Sequence, residues 1–266
     1  MTTLTQDEKK FWNILLSFVQ DEKAEAYIQN HFQRYLKTIE LIPVRGPLAA
    51  LDVGTFIPFA ALLQKTTPHR YKWHDHWEGD LQRDISVNGE TFHLFNFDVE
   101  RDTFPFEDGS FDLVLCNEVI EHLGIDPFHM LSEINRVLRR GGQLILSTPN
   151  IASTRGAAKM LLGYSPYLYA SFTLNGNRHN REYCLSEIMN MMDQSGFKVD
   201  RSETGDVYFK DEKMGPRFRL LTWILDALRT ILGSRYRGDT IFVVARKTGA
   251  MATRYPPQFY DIEGSR

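Results

Sequence analysis

Residues 111–116, Phe-Asp-Leu-Val-Leu-Cys, form an almost unbroken apolar run, and Asn117, Glu118, Glu121 and His122 follow where it stops. Such a run suits a strand buried on both faces. Shorter runs of the same kind recur at 48–54, 143–148 and 240–245, and residues 91–98 alternate with Phe92, Leu94 and Phe97 facing inward. The spacing of Phe11, Ile14, Leu15 and Phe18, then of Tyr27, Ile28, Phe32 and Tyr35, predicts two helices before the first strand. Further helices are predicted at 59–64, at 127–140 with Gly141-Gly142 as its stop, at 157–162, and at 186–195 with Ser186 as its cap. The helix at 217–232 presents a broad apolar face, Phe218, Leu221, Ile224, Leu225, Leu228 and Ile231, that either packs on a sheet or serves a homodimer or a membrane surface. The second strand is hardest to place; residues 71–77 are the candidate, and 80–89 read as polar connection. Strands alternating with helices define an α/β fold with a mainly parallel sheet.

Composition narrows the function without defining it. The chain has 266 residues, 42% hydrophobic and 24% charged, with a formal net charge of −3. No basic stripe of the density that a phosphate backbone demands is present, so no nucleic acid is expected as partner. Two cysteines, Cys116 and Cys184, offer neither a disulfide framework nor a metal spacing, which fits a reducing, cytoplasmic compartment. The first residues lack a signal-peptide pattern, and no run of eighteen apolar residues predicts a transmembrane segment.

In an open α/β sheet, ligands bind beyond the carboxyl ends of strands, so Asn117, Glu118 and His122 stand where a site is expected. The first strand ends in Asp52 and Gly54, and Asp75 follows Gly54 at about the offset of a ribose-binding acid. Beyond Gly54 the loop reads Thr-Phe-Ile-Pro, so the dinucleotide glycine fingerprint is missing and Pro58 has no N–H to offer a phosphate.

Leu51-Asp52-Val53-Gly54, Asp98, residues 104–114, Glu118-Val119-Ile120-Glu121-His122-Leu123 and residues 133–142 together resemble class I S-adenosylmethionine-dependent methyltransferases of the type 11 kind. The resemblance spans about residues 48–150 and continues more loosely to Lys247. It implies a Rossmann-like fold with a seven-stranded, mainly parallel sheet and an antiparallel last strand at 240–245. An N-terminal helical extension (1–42) precedes a methyltransferase domain (43–249) with an aromatic-rich insertion at about 151–183, and a loosely held tail (250–266) follows. It also implies S-adenosylmethionine as cofactor: Asp52, Gly54, Asn117 and Glu118 beside its methionine part, Asp75 on the ribose and Asp98 on the adenine amino group. Phe56 and Pro58 depart from the family's glycines.

The implied chemistry is methyl transfer to an oxygen or nitrogen of a small-molecule or carbohydrate-like acceptor. His122, His179 and Glu118 are the candidate catalytic residues, as bases or acceptor-positioning groups. Tyr164, Tyr167, Tyr169 and Phe172 are candidates to stack on an acceptor. Glu121 and His122 show no third converging ligand in the sequence, and His74-Asp75-His76 reads as a solvated loop, so no metal is expected. A noncatalytic scaffold retaining the fold and a nicotinamide-dependent oxidoreductase are the alternatives.

Overall fold

A computed structural model describes residues 4–166, 178–207, 215–231 and 237–260. Two helices open the chain, α1 (Gln6–Ser17) and α2 (Glu22–Leu41). Thr5 accepts from the Glu8 N–H while Glu8 reaches back to the Thr5 N–H, and Asp21 accepts from Ala24 N–H, so each start is capped by its own side chain. There follow β1 (Ala49–Val53), α3 (Ile57–Thr66), β2 (Arg70–Asp75), β3 (Gln82–Val87), β4 (Glu90–Asn96), β5 (Phe111–Asn117), α4 (Pro127–Val137) and β6 (Leu138–Pro149). The last elements are α5 (Thr154–Leu161), α6 (Leu185–Gln194), β7 (Phe197–Gly205), α7 (Pro216–Ile231) and β8 (Thr240–Lys247).

One eight-stranded sheet carries the order β3-β4-β2-β1-β5-β6-β8-β7. The strands β4, β2, β1, β5 and β6 pair in parallel, and β8 runs antiparallel between β6 and β7. The alternation of the central strands sorts their side chains into two cores. Leu51, Val53, Val114, Cys116, Leu144 and Leu146 pack with α4 and α6 on one face. Ala50, Leu113, Leu115 and Ile145 pack with α1, α2 and α3 on the other. Both faces are therefore covered, as a parallel sheet requires.

The strand count exceeds the expected seven by one, because residues 80–89 are not mere connection: β3 pairs antiparallel with β4 from Gln82 opposite Phe95 to Val87 opposite Glu90. An edge strand at the rim of the core buries little, and here only Ile85 and Val87 pack inward while Gln82, Arg83, Asp84 and Ser86 are exposed, so two apolar positions are all the sequence offers to mark the strand. The helix expected at 127–140 ends at Val137, and Gly141-Gly142 lie inside the long strand β6, where Gly141 has φ +77° and the register with β5 shifts. Cys184, not Ser186, caps α6, its N–H donating to Glu187. The tail is not loosely held over its described part: Arg254 and Tyr260 bond Asp126 at the start of α4, and Phe259 rests 5.2 Å from Phe128. The apolar face of α7 is not spent on the sheet: the helix packs on α5, Phe218 is buried and Leu221 and Leu225 are half-buried, but Ile224, Leu228 and Ile231 are exposed.

Candidate functional site

The strand order reverses between β1 and β5: the chain runs leftward from β1 to β2 and β4, then crosses back to β5 on the other side. The crevice at the carboxyl ends of these two strands is the switch point at which an α/β sheet binds its ligand. Val53 pairs with Cys116, so Gly54 and Asn117 emerge side by side.

Gly54 has φ +78°, and a Cβ there would meet Val119 Cγ2 at 2.6 Å. Glycine is thus required both by its backbone and by the closeness of the loop after β5. The Gly54 N–H donates to Nδ1 of His74, whose Nε2–H donates to the Phe97 carbonyl at 2.9 Å. These bonds hold the buried imidazole neutral, and burial pushes its pKa down to about 4. Asp52 is buried and accepts only from the Thr55 hydroxyl among the described side chains, at 3.0 Å; burial raises its carboxyl to about 7. Phe56 caps α3 and lies 5.1 Å from the Tyr27 ring, while Pro58 sits in the first turn of α3, where a missing N–H costs nothing. The two residues that replace glycines thus serve the helix start and its packing on α2.

Asp75 ends β2, as a ribose-binding acid should, but binds Arg83 of β3 at 3.2 Å and the His76 N–H at 2.8 Å. Burial raises its pKa. Asp98, just past β4, accepts from the Glu100 N–H and pairs with Arg101 at 2.8 Å, closing its own loop. Both acids sit at the carboxyl edge, and both already have partners. Asn117 differs: its amide nitrogen and oxygen are buried with no partner among the described residues. A buried amide left unpaired costs about 1–3 kcal/mol, so it marks a place shaped for a polar ligand.

Glu118 has φ +54°, a left-handed conformation that a non-glycine residue adopts at a cost. It turns the chain so that its carboxylate accepts from Ser147 Oγ at 3.0 Å and pairs with Arg34 of α2 at 3.1 Å. Glu121 and His122 follow in a short 3₁₀ turn at 120–122. Thr148 donates to one Glu121 oxygen at 2.9 Å; burial, then the nearby Glu118, hold this carboxyl well above the ordinary range. His122 donates from Nδ1 to the Arg178 carbonyl at 2.9 Å, and His179 from Nδ1 to Glu182 at 3.2 Å. The two imidazoles meet edge to face with centroids 4.8 Å apart.

Glu118, His122 and His179, the expected catalytic residues, therefore belong to one neighbourhood. The expectation that Glu121 and His122 lack a third converging donor is corrected, because His179 supplies it. Arg181 pairs with Glu187, not with Glu182, which is buried under His179. Sequence reasoning missed Arg34 and His31, whose pKa burial drives down to about 3. The signal was present: His31 and Arg34 stand among the apolar residues on the buried side of α2, and the exposed Tyr27 lies against His31. The N-terminal helices thus pack on the sheet and also border the site. Tyr164 is exposed, while Tyr167, Tyr169 and Phe172 lie outside the described residues.

A second concavity of about 560 Å³ lies at the opposite edge, beside Asp108, Arg136, Arg139 and Lys247. Three of its cations are engaged within the fold: Arg136 bonds Glu133, Asp108 and two carbonyls, Arg139 pairs with Asp112, and Lys247 bonds the carbonyls of Asn135 and Leu138. The switch-point crevice is the better candidate.

Residues 58–146 match the family described as a methyltransferase domain. A probable S-adenosylmethionine-dependent methyltransferase of Mycolicibacterium smegmatis is 35% identical over 97 residues, 36% of this chain and 32% of that protein. The chain thus matches about a third of that curated relative's length or, for two uncharacterized relatives, less. Among solved structures, the complex of the Haloferax volcanii Trm112 methyltransferase activator with its methyltransferase superposes with a TM-score of 0.58 at 16% identity, over 93% of this chain and 100% of that one. An Archaeoglobus fulgidus SAM-dependent methyltransferase follows at 0.56, 15% identical over 85% and 100% of the two chains. A Thermotoga maritima SAM-dependent methyltransferase, described as a possible histamine N-methyltransferase, reaches 0.53 at 17% identity over 89% and 99%. These likenesses establish the fold. Over residues 58–146 the chain matches a methyltransferase domain, and its fold is the one these S-adenosylmethionine-dependent methyltransferase structures share.

Proposed function

We propose that this chain binds S-adenosylmethionine in the crevice between β1 and β5 and methylates an oxygen or nitrogen of a small-molecule or carbohydrate-like acceptor. The observation that carries the reading is Asn117, whose buried amide has no partner among the described residues and emerges beside Gly54 at the switch point. The cofactor, when bound, supplies a methyl group activated by a positive sulfur. Asn117 and the backbone of the Gly54 loop would hold its amino-acid part, Asp75 its ribose and Asp98 its adenine amino group. Asp52 supports the loop from below through Thr55.

On the acceptor side, the carbonyl of Arg178 fixes the tautomer of His122, leaving Nε2 with the ring's lone pair to accept a proton from an arriving hydroxyl. Glu118 and Arg34 form the wall between α2 and the site. The exposed apolar side of α7 supports self-association. The scaffold alternative draws on one observation: Glu118 and the Gly54 N–H already serve partners within the fold.

Calorimetry of the purified chain with S-adenosylmethionine, its demethylated product and a nicotinamide cofactor tests the reading. Binding of the first two is expected, followed by methyl incorporation in an acceptor screen with labelled cofactor that includes small molecules, glycans and a protein. Binding without transfer to any acceptor would favour the scaffold; no binding would end the proposal.

A further inference from the structure

Glu121, His122 and His179 bring one carboxylate and two imidazoles together, with their donor atoms all within 4.8 Å of one another. We propose that this cluster binds a divalent transition-metal ion, of the zinc or manganese class, on the acceptor side of the site. Two imidazoles and one carboxylate form a donor set suited to such ions, and three protein ligands leave positions open for substrate or water.

Three independent features support a built site. First, Glu121 is fully buried, and its Oε1 has no hydrogen-bond partner among the described residues, while Thr148 orients the other oxygen. A buried carboxylate oxygen left unbonded is costly, and a cation is the partner that repays it most fully. Second, each histidine donates its Nδ1–H to an oxygen, His122 to the Arg178 carbonyl and His179 to the buried carboxylate of Glu182. That arrangement fixes Nε2 as the ligating atom of both rings and raises ligand basicity, as the supporting partners of metal-bound histidines do.

Third, the two chain segments are tied together by the backbone. The N–H groups of Asn180 and Arg181 donate to the Glu121 carbonyl at 2.8 and 3.1 Å, and the Asn180 side chain donates to the His122 carbonyl at 2.5 Å. These bonds hold His179 against the 120–122 turn without help from any ion. Ligands of a zinc-class ion at about 2.1 Å stand about 3.4 Å apart, so small side-chain rotations would close the cluster.

Glu118 and Arg34 flank the cluster as an ion pair, and His31 approaches His179. The positive Arg34 opposes a cation, and Glu118 offsets it. The inference rests on the acceptor-side placement proposed above only for its purpose: an ion there would bind an acceptor oxygen and lower the pKa of its hydroxyl, replacing His122 as the base, because the ion would occupy its Nε2 lone pair. Metal binding itself is independent of that reading.

The test uses the full chain, freed of metal by chelator and titrated with Zn²⁺, Mn²⁺ and, for its visible spectrum, Co²⁺. One equivalent is expected to bind, with a Co²⁺ spectrum of low coordination number and a raised melting temperature. Glu121→Gln and His179→Asn should each weaken binding by about 100-fold or more, and Glu182→Gln by about 10-fold. His76→Ala, in the loop after β2, should leave it unchanged. Absence of stoichiometric binding to the wild-type chain, or binding undiminished in a folded His122→Asn/His179→Asn variant, would overturn the inference. S-adenosylmethionine calorimetry on the same preparation separates the two proposals: metal without cofactor binding sinks the methyl-transfer reading alone, and cofactor without metal binding sinks this one alone.

Discussion

Arg34 and Glu118 form a 3.1 Å ion pair whose side chains are 5% and 8% exposed, joining the second helix of the N-terminal extension to the residue that follows the central strand. Arg34 also donates to the Tyr27 hydroxyl and lies over the Tyr27 and Tyr35 rings. Removing one partner of a buried pair strands the other charge. Arg34→Met is therefore expected to destabilise the chain by about 3–5 kcal/mol, whereas Arg34→Met with Glu118→Gln should recover most of that loss. Urea unfolding of the wild type, the single and the double variant measures the difference. Equal stability of single and double variants would remove the pair from the architecture.

Gly54 offers a test of the loop that stands where the family has further glycines. Gly54→Ala must place a Cβ 2.6 Å from Val119 Cγ2 and hold alanine at φ +78°. The backbone part alone costs about 1–2 kcal/mol. Adding Val119→Ala should relieve the clash and leave that backbone cost in place. Thermal melts of the wild type and the two variants check the order; a Gly54→Ala variant as stable as the wild type would show that the two loops are free to part.

Much of this site could be read from the sequence, and the reason is local. Asp52, Gly54, Asn117 and Glu118 stand where an apolar run gives way to polar residues, so strand and strand end are visible together in one short stretch. His179, Arg34 and Glu182 could not be placed in the same way, because their partners are distant along the chain and the contacts follow from tertiary packing. The edge strand β3 escaped for a different reason: only Ile85 and Val87 turn inward, a pattern too short to stand out among polar residues. The face of α7 was visible as a pattern, but apolar spacing does not say what covers it.

Asp52 gives a pH signature. Its folded pKa, raised to about 7 by burial, exceeds the unfolded value near 3.8, so the folded state holds the proton more tightly. Its stabilising contribution is complete below the unfolded value and is lost as pH rises toward 7. The buried His74, lowered to about 4, contributes in the opposite sense below its unfolded value, so wild-type stability alone will not isolate Asp52. The comparison with Asp52→Asn does: the variant should gain on the wild type progressively from about pH 4 to pH 7, by up to about 4 kcal/mol. Denaturant midpoints across that range provide the measurement, and a flat difference would place the Asp52 carboxylate in a more polar setting than its burial indicates.

Asn117 sets stability against binding. Its two amide atoms are buried and unpaired among the described residues, so the unliganded chain carries a desolvation cost that a cofactor would relieve. Asn117→Leu, of similar volume and without polar atoms, is expected to stabilise the unliganded chain by about 1 kcal/mol while weakening S-adenosylmethionine binding by about 1–3 kcal/mol. Melting temperature without ligand and calorimetric affinity with it should therefore move in opposite directions. If both fall together, Asn117 is a packing residue whose amide finds a partner within the folded chain, and the crevice between β1 and β5 loses its strongest claim on a polar ligand.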